Sequence, residues 1–353
     1  MISRLLVGAA AVSAGLIALT QLLIPSPIAA DTPAVDPVQP GPYAVGLTQR
    51  SFTRASSTTG ADRSISLLAW YPALPPAANR SSTPMGGGVD ARPARGAGPF
   101  PVLLFSHGSG GTPRQSSFLT AHLASHGFVV IAPTHPGNTA VDCPAGCLPI
   151  DASARAAFLD SAANRPADIS AALDQALSLS FSGDEQLGRM LNADRVGVVG
   201  HSFGGWTALQ VLLGDPRFRV AVPMAPGVVA ELLAQTEHVE APTLVLAGDL
   251  DRLTRLADEQ LLSTSLTAGG GDHWFVVLHG AGHLAFTDFC GRIFGGCGPE
   301  DLPPAEAQSA VKGWTTAFLQ RYLAEDDRYA AWLDDKQASF VEVKRSAGRT
   351  AAP

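Results

Sequence analysis

Short, wholly apolar runs alternate with helical stretches along most of the chain. Val102-Leu-Leu-Phe-Ser106, Phe128-Val-Val-Ile-Ala132, Arg195–Val199, Val220–Pro223, Thr243–Ala247 and Trp274–Leu278 read as strands. Ser117–Ser125, Ala167–Ser178, Gly205–Leu213, Leu253–Leu262 and Ala305–Leu323 read as the helices between and after them. Strands that are apolar on both sides need both faces covered, so the pattern predicts an α/β fold, a mostly parallel central sheet with helices on both faces. Two earlier β-rich runs, Tyr43–Thr53 and Ser64–Tyr71, precede this alternation. Residues 72–98, rich in Pro, Gly, Ala and Ser, read as a flexible surface loop, 138–164 as a rim insertion between a strand and the next helix, and 334–353 as a C-terminal tail. No internal repeat interrupts the pattern.

The first 30 residues follow another rule. They carry one charge, Arg4, then an apolar run from Leu5 to Ile24, then the small-residue exit Pro25-Ser-Pro-Ile-Ala-Ala30. This order predicts a signal peptide cut near Ala29 or Ala30, hence a secreted or periplasmic protein. The run also approaches the roughly 20 residues that span a bilayer, so an uncleaved anchor is the alternative. No second stretch is long and apolar enough to span one, and residues 31–42 form a linker into a single domain over 43–333.

Composition narrows the partners. With 353 residues, 46% of them hydrophobic, the chain can bury a core large enough to offset its ordering entropy, which excludes wholesale disorder. A net charge of −7 with no run of Lys or Arg leaves no electrostatic footprint for nucleic acid. No sequence feature specifies an oligomeric state. Export makes the four cysteines informative: Cys143 and Cys147 share one short loop, Cys290 and Cys297 another, and two local disulfides are expected. Neither pair has the Cys-x-x-Cys spacing that grips zinc, so no metal is expected.

Gly200-His201-Ser202-Phe203-Gly204-Gly205 lies between the apolar run ending at Val199 and a helical run from Trp206. A serine on so sharp a strand-to-helix turn is forced into a strained backbone that lifts its hydroxyl above the sheet, and flanking glycines relieve the crowding. About 0.3 such motifs arise by chance in a chain of this composition, so the strand before and the helix after carry the argument. Partners follow in the order acid, then base. Gly248-Asp249-Leu250-Asp251 comes after one strand and His279-Gly-Ala-Gly-His283 after the next. Asp251 is the expected acid, with Asp249 its rival, and His283 is the expected base, with His279 structural. The neutral imidazole would take the serine proton as Ser202 attacks a carbonyl carbon, and Asp251 would hold the imidazole's tautomer. A second Gly-rich turn, Ser106-His107-Gly108-Ser109-Gly110-Gly111, offers the Ser109 amide, and Phe203 offers another, for a developing oxyanion. No cofactor motif is present, since the chain lacks G-x-x-x-x-G-K-[ST].

Phe-Ser-His-Gly-Ser-Gly-Gly (105–111), His-Leu-Ala-Ser-His-Gly-Phe-Val-Val (122–130), His-Pro-Gly-Asn (135–138), Arg-Pro-Ala-Asp-Ile-Ser (165–170) and Gly-His-Ser-Phe-Gly-Gly (200–205) occur in this order. Together they resemble the bacterial relatives of platelet-activating-factor acetylhydrolase, often labelled predicted dienelactone hydrolase, in the α/β-hydrolase superfamily. That resemblance implies a single α/β-hydrolase domain and a serine esterase without cofactor or metal. By motif it carries over Ser202, Asp251 and His283 as the triad and Ser109 and Phe203 as oxyanion donors. Serine at the nucleophile position departs from dienelactone hydrolases, which use cysteine. Neither the 138–164 stretch nor the Cys290–Cys297 loop is a long amphipathic lid, so short-acyl esters are expected, and the resemblance extends these to phospholipids with a short sn-2 chain. A polyester hydrolase or peptidase using the same triad, or a binding protein whose triad is idle, are the alternatives. Arg165 and Asp168 read as a helix start with an internal ion pair.

Overall fold

The computed structural model describes residues 34–75, 87–143, 147, 151–290, 301–335 and 338–346. The chain divides into two units at Ala34/Val35, and the fold below is that of the second. The expected signal segment, residues 1–30, lies outside the described residues. No helix among the described residues is long and apolar enough to cross a membrane.

Among the described residues, ten strands and seven α-helices follow one another: β1 Ala44–Ala55, β2 Asp62–Ala73, β3 Gly87–Val89, β4 Phe100–Ser106, α1 Ser117–Ser125, β5 Val129–Pro133, α2 Ala152–Ser182, β6 Leu191–His201, α3 Phe203–Gly214, β7 Phe218–Met224, α4 Ala230–Thr236, β8 Thr243–Gly248, α5 Leu256–Gly269, β9 His273–Leu278, α6 Pro304–Tyr322, α7 Ala330–Asp334 and β10 Val341–Ser346. They form one sheet in the order β10-β9-β8-β7-β6-β4-β5-β2-β1-β3. The block from β5 to β9 is parallel, with β2 antiparallel to β5 at one border and β10 antiparallel to β9 at the other. This is the expected single α/β domain. Every residue of β5, β8 and β9 is buried, as a sheet covered on both faces demands.

Side-chain parity sorts the helices between the two faces. Val196 and Val198 join the cluster with Ile169, Leu173 and Ala176 of α2 and Ala208 and Val211 of α3. Gly197, between those valines, points the other way. A Cβ there would lie 3.1 Å from Leu323, just beyond α6, and 2.8 Å from Val220, so a side chain would force those neighbours to shift. After β4 the chain moves to β5 on one side, then returns to β6 on the other. Such a switch opens a crevice at the carboxyl ends of β4 and β6, where ligands bind in open α/β sheets.

Several boundaries differ from expectation. Helix α2 begins at Ala152, not Ala167, because Asp151 caps it by accepting the Ala154 amide (2.8 Å) and the Ala-rich first turns have high helix propensity. Pro166 sits inside this helix rather than at its start, so half of the expected rim insertion is helical. The expected loop over 72–98 contains β3, parallel to β1, and a 3-10 turn at Arg95–Ala97, while 76–86 lies outside the described residues. The expected tail contains β10, whose Val341 pairs with Leu278. Helix α4 was unexpected, and the helix expected from Leu253 starts at Leu256 and runs to Gly269.

Arg165 and Asp168 therefore lie mid-helix, and they do not pair with each other. Asp168 is fully buried and accepts from Arg54 (2.6 Å), Arg63 (3.1 Å) and His135 Nδ1 (3.0 Å), tying β1 and β2 to α2 and to the end of β5. Burial alone would raise its carboxyl, but the His135 and Arg63 contacts outweigh this and hold it below the usual range. Removing that carboxylate strands two guanidinium groups. Asp168→Ala should destabilise the fold by roughly 3–5 kcal/mol in urea unfolding, and a loss under 1 kcal/mol would contradict the role given to this cluster.

Candidate active site

Strand β6 delivers Ser202 into a left-handed conformation, φ 58° and ψ −120°, at the cap of α3. The turn is held by the Ser202 amide donating to Met224 of β7 (2.9 Å) and by its carbonyl accepting the amides of Gly205, Trp206 and Gly227. Backbone segments meet so closely here that a Cβ on Gly204 would lie 1.9 Å from the Ser106 carbonyl oxygen, and one on Gly200 2.1 Å from that of Gly204. The glycines are thus required by the close approach of β4 and α3.

The two carboxylates after β8 and the two histidines after β9 separate into two pairs. Asp251 Oδ2 accepts from His283 Nδ1 at 2.7 Å, and both side chains are buried. Asp249 instead accepts from the half-exposed His279 (3.0 Å) and from the Gly280 amide (2.7 Å), tying down the turn that leads to His283. Asp251 is further fixed by the amides of Leu253 (2.7 Å) and Thr254 (2.9 Å) and by the Thr254 hydroxyl (2.6 Å). Burial would raise this carboxyl, yet the hydrogen bonds from His283 and Thr254 prevail and keep it below the usual carboxylate range. With Nδ1 committed to Asp251, Nε2 is the ring nitrogen left for chemistry.

A chain of hydrogen bonds joins three loops, with His201 in the orienting role its place beside Ser202 suggests and Gln115 as the member sequence reasoning missed. The Gly108 amide donates to Gln115 Oε1 (2.9 Å), Gln115 Nε2 to His201 Nδ1 (2.6 Å), and His201 Nε2 to the His283 carbonyl (2.8 Å). Burial and the neighbouring His283 drive His201 down to about 3, so it is a neutral bridge. Nothing in the spacing of Gln115, in the turn before α1, marks it in advance. Asp288, beyond His283, accepts from the Ser117 (2.9 Å) and Phe118 (3.1 Å) amides at the start of α1.

Ser109 lies on the loop after β4. Its hydroxyl donates to the Cys147 carbonyl (3.0 Å) and accepts from Asn138 Nδ2 (3.2 Å). The Cys143–Cys147 disulfide is formed, and a bridge between Gly111 and Thr139 stitches its loop to this one. Cys290 is also disulfide-bonded, and Cys297 lies outside the described residues. Phe203 is the first residue of α3, so its amide is among those no intrahelical carbonyl can reach. A cavity of about 290 Å³ opens beside these residues, between Asn138, the disulfide and Phe158. A larger one, about 560 Å³, follows β10 and touches none of the triad candidates. Among the described residues no group of three or more His, Cys, Asp or Glu could hold a metal.

A strand, a strained serine turn and a helix at the switch point, with a buried Asp–His pair on the loops after β8 and β9, define an α/β-hydrolase. The chain belongs to the PET hydrolase-like family, whose pattern matches residues 78–351. It is 26% identical over 234 residues to cutinase est1 of Thermobifida alba, covering 66% of this chain and 64% of that relative. It is also 26% identical over 267 residues to platelet-activating factor acetylhydrolase of Cavia porcellus, covering 66% of this chain and 60% of that one. The match thus spans under two thirds of either relative's length. A ferulic acid esterase from Streptomyces cinnamoneus shares the fold, with a TM-score of 0.64 at 22% identity over 89% of this chain and 98% of its own. The likeness takes in cutinases as well as the acetylhydrolase, and does not single out the expected acetylhydrolase and dienelactone hydrolase group.

One buried carboxyl stands apart. Glu259 of α5 is fully buried beside Thr254, whose hydroxyl is already given to Asp251. Burial, then the charge of Asp251, raise it well above the ordinary carboxyl value, so the native state holds a proton that the unfolded chain releases near pH 4.3. Native stability therefore declines as pH rises from there, by up to about 1.4 kcal/mol per pH unit, until the buried group ionises. Glu259→Gln should be the more stable protein at pH 7, with a margin in Tm that widens from pH 5 upward. A margin that is absent, or that narrows over that range, would contradict this.

Proposed function

We propose that the protein is an exported serine carboxylic ester hydrolase in which Ser202 is the nucleophile, His283 the general base and acid, and Asp251 the residue that orients the imidazole. The buried 2.7 Å contact between Asp251 Oδ2 and His283 Nδ1 carries this reading, because it presents Nε2 in the form that can accept a proton. Ser202 Oγ attacks the ester carbonyl carbon as its proton passes to Nε2. The tetrahedral oxyanion is met by the Ser109 and Phe203 amides, each such donor being worth about 3 kcal/mol of barrier. Collapse breaks the bond to the alcohol oxygen, which leaves with the proton from Nε2. Water then attacks the acyl-enzyme, giving its proton to Nε2, and the carboxylic acid departs as Ser202 Oγ recovers that proton. The Cys143–Cys147 disulfide fits an oxidising compartment outside the cytoplasm.

The substrate reading is an ester with a short acyl group. Phe158 stacks at 4.3 Å on Phe203, the residue after the nucleophile, and Arg165 lies 4.4 Å from the same ring, so bulky side chains crowd the nucleophile turn. A second reading, polyester hydrolysis, is favoured by Val141, Val229, Leu250, Leu253 and Phe289. All are exposed, on loops that leave the carboxyl ends of β5, β7, β8 and β9, the edge that carries Ser202. An apolar rim of this kind suits a hydrophobic solid. Phospholipids with an acetyl sn-2 chain share the short acyl group and are the narrower, acetylhydrolase-like form of the first reading.

A fluorophosphonate should label the wild type and fail to label Ser202→Ala. p-Nitrophenyl acetate and butyrate should be cleaved faster than the palmitate, and an amorphous polyester film should release soluble acid. Labelling of Ser202→Ala, or rates that rise with acyl length, would defeat the respective parts of this assignment.

A further inference from the structure

The fully buried side chains under the loop after β4 are not used by the reaction as written, yet they converge on its two proposed amide donors. We propose that Arg165 and His107 are positioning residues that aim the Ser109 amide at the oxyanion. The inference rests on Ser202 and Ser109 acting as described above.

A trans peptide is planar, with its carbonyl and N–H pointing in opposite directions. The direction of the Ser109 N–H is therefore set by whatever holds the Gly108 carbonyl. That oxygen accepts from His107 Nδ1 (2.8 Å), from the Gly111 amide (3.0 Å) and from Arg165 Nη2 (3.4 Å). These donors pull the carbonyl toward the protein interior, so the Ser109 N–H is turned away from it, toward the crevice. The preceding peptide is held as well: Arg165 donates to the His107 carbonyl through Nη1 (3.0 Å) and Nη2, and the Gly108 amide is engaged by Gln115. Neither peptide can rotate without breaking charge-assisted hydrogen bonds in a site shielded from water.

The protonation states fit this task. Burial, with the charge of Arg165 and the neighbouring His135, pushes His107 well below the ordinary imidazole value, so it is neutral. Its Nδ1–H donates to Gly108, and its Nε2 accepts the His135 amide (3.3 Å), which fixes one tautomer. Burial lowers Arg165 to about 9, still protonated at neutral pH, and among the described residues no carboxylate pairs with it. Asp168, one helical turn on, is taken by Arg54, Arg63 and His135. The guanidinium instead covers the Phe203 ring at 4.4 Å, on the residue that supplies the second amide. One buried cation without a carboxylate partner among the described residues thus touches both segments that carry the donors.

The test compares wild type with Arg165→Met, Arg165→Lys, His107→Leu and His107→Asn. It measures kcat and KM on p-nitrophenyl butyrate and the inhibition constant of an alkyl boronic acid, whose tetrahedral adduct on serine mimics the intermediate. Loss of aim should lower kcat by about 100-fold in Arg165→Met, the effect of losing one oxyanion donor, with KM within about threefold. Boronate affinity should fall in parallel. Asn at 107 keeps a donor for the Gly108 carbonyl and should recover part of what Leu loses, and this pair carries the test should Arg165→Met not fold. Folded variants that keep kcat and boronate affinity within about threefold of wild type, or that lose activity through KM alone, would overturn the proposal. End-point labelling by a fluorophosphonate separates the two levels: variants that label fully but turn over slowly have lost aim, whereas a wild type that never labels overturns the nucleophile and this inference with it.

Discussion

The close approach of two chain segments at the end of β6 is the constraint on which the site depends. Ser202 can stand above the sheet only if its backbone takes a left-handed conformation, a strain of about 1–3 kcal/mol for a residue with a side chain. That strain persists because one amide and one carbonyl of the same residue make four hydrogen bonds to β7, α3 and the loop after β7. Gly204 lies against the Ser106 carbonyl as a consequence, which brings the amino end of α3 beside the loop after β4. Those are the two segments that carry the Phe203 and Ser109 amides. The strand order permits this meeting, since β4 and β6 are neighbours and their carboxyl ends open on the same crevice.

Around that turn, neutral polar bridges do the work that charge pairs do elsewhere. His201 links Gln115 to the His283 backbone, and His107 links the Gly108 carbonyl to the end of β5, both held uncharged by burial. Apart from Arg165, the buried charges named here are matched. Asp251 meets His283, Asp168 meets two arginines, and the more exposed Asp249–His279 pair closes the turn before the base. Loops from five different strands are thereby fastened to one another.

How much of this the sequence discloses follows from what each feature rests on. Strands apolar on both faces, such as Val129–Pro133 and Thr243–Gly248, are legible because burial on two sides leaves no other pattern. The turn at Ser202 is legible because crowding demands glycines there. Helix α2 was misread because Pro166 looks like a start signal, while the Asp151 cap that begins the helix lies far upstream. That error hid Arg165 and Asp168, whose partners are 33 to 114 residues away in sequence. Strand β10 reads as polar because its edge position leaves Glu342, Lys344 and Arg345 in solvent, so periodicity alone did not mark it. Gln115 and Asn138 are ordinary loop residues until the fold brings them to His201 and Ser109.

The central claim is that this geometry meets a tetrahedral oxyanion formed on Ser202. A crystal structure of the protein inactivated by a phosphonate ester tests it most directly. The account predicts phosphorus bonded to Ser202 Oγ, one phosphonyl oxygen about 3 Å from the amide nitrogens of both Ser109 and Phe203, and His283 Nε2 facing the oxygen that replaces the leaving alcohol. An adduct on another residue, or a phosphonyl oxygen turned to solvent while those two amides bind elsewhere, would contradict it.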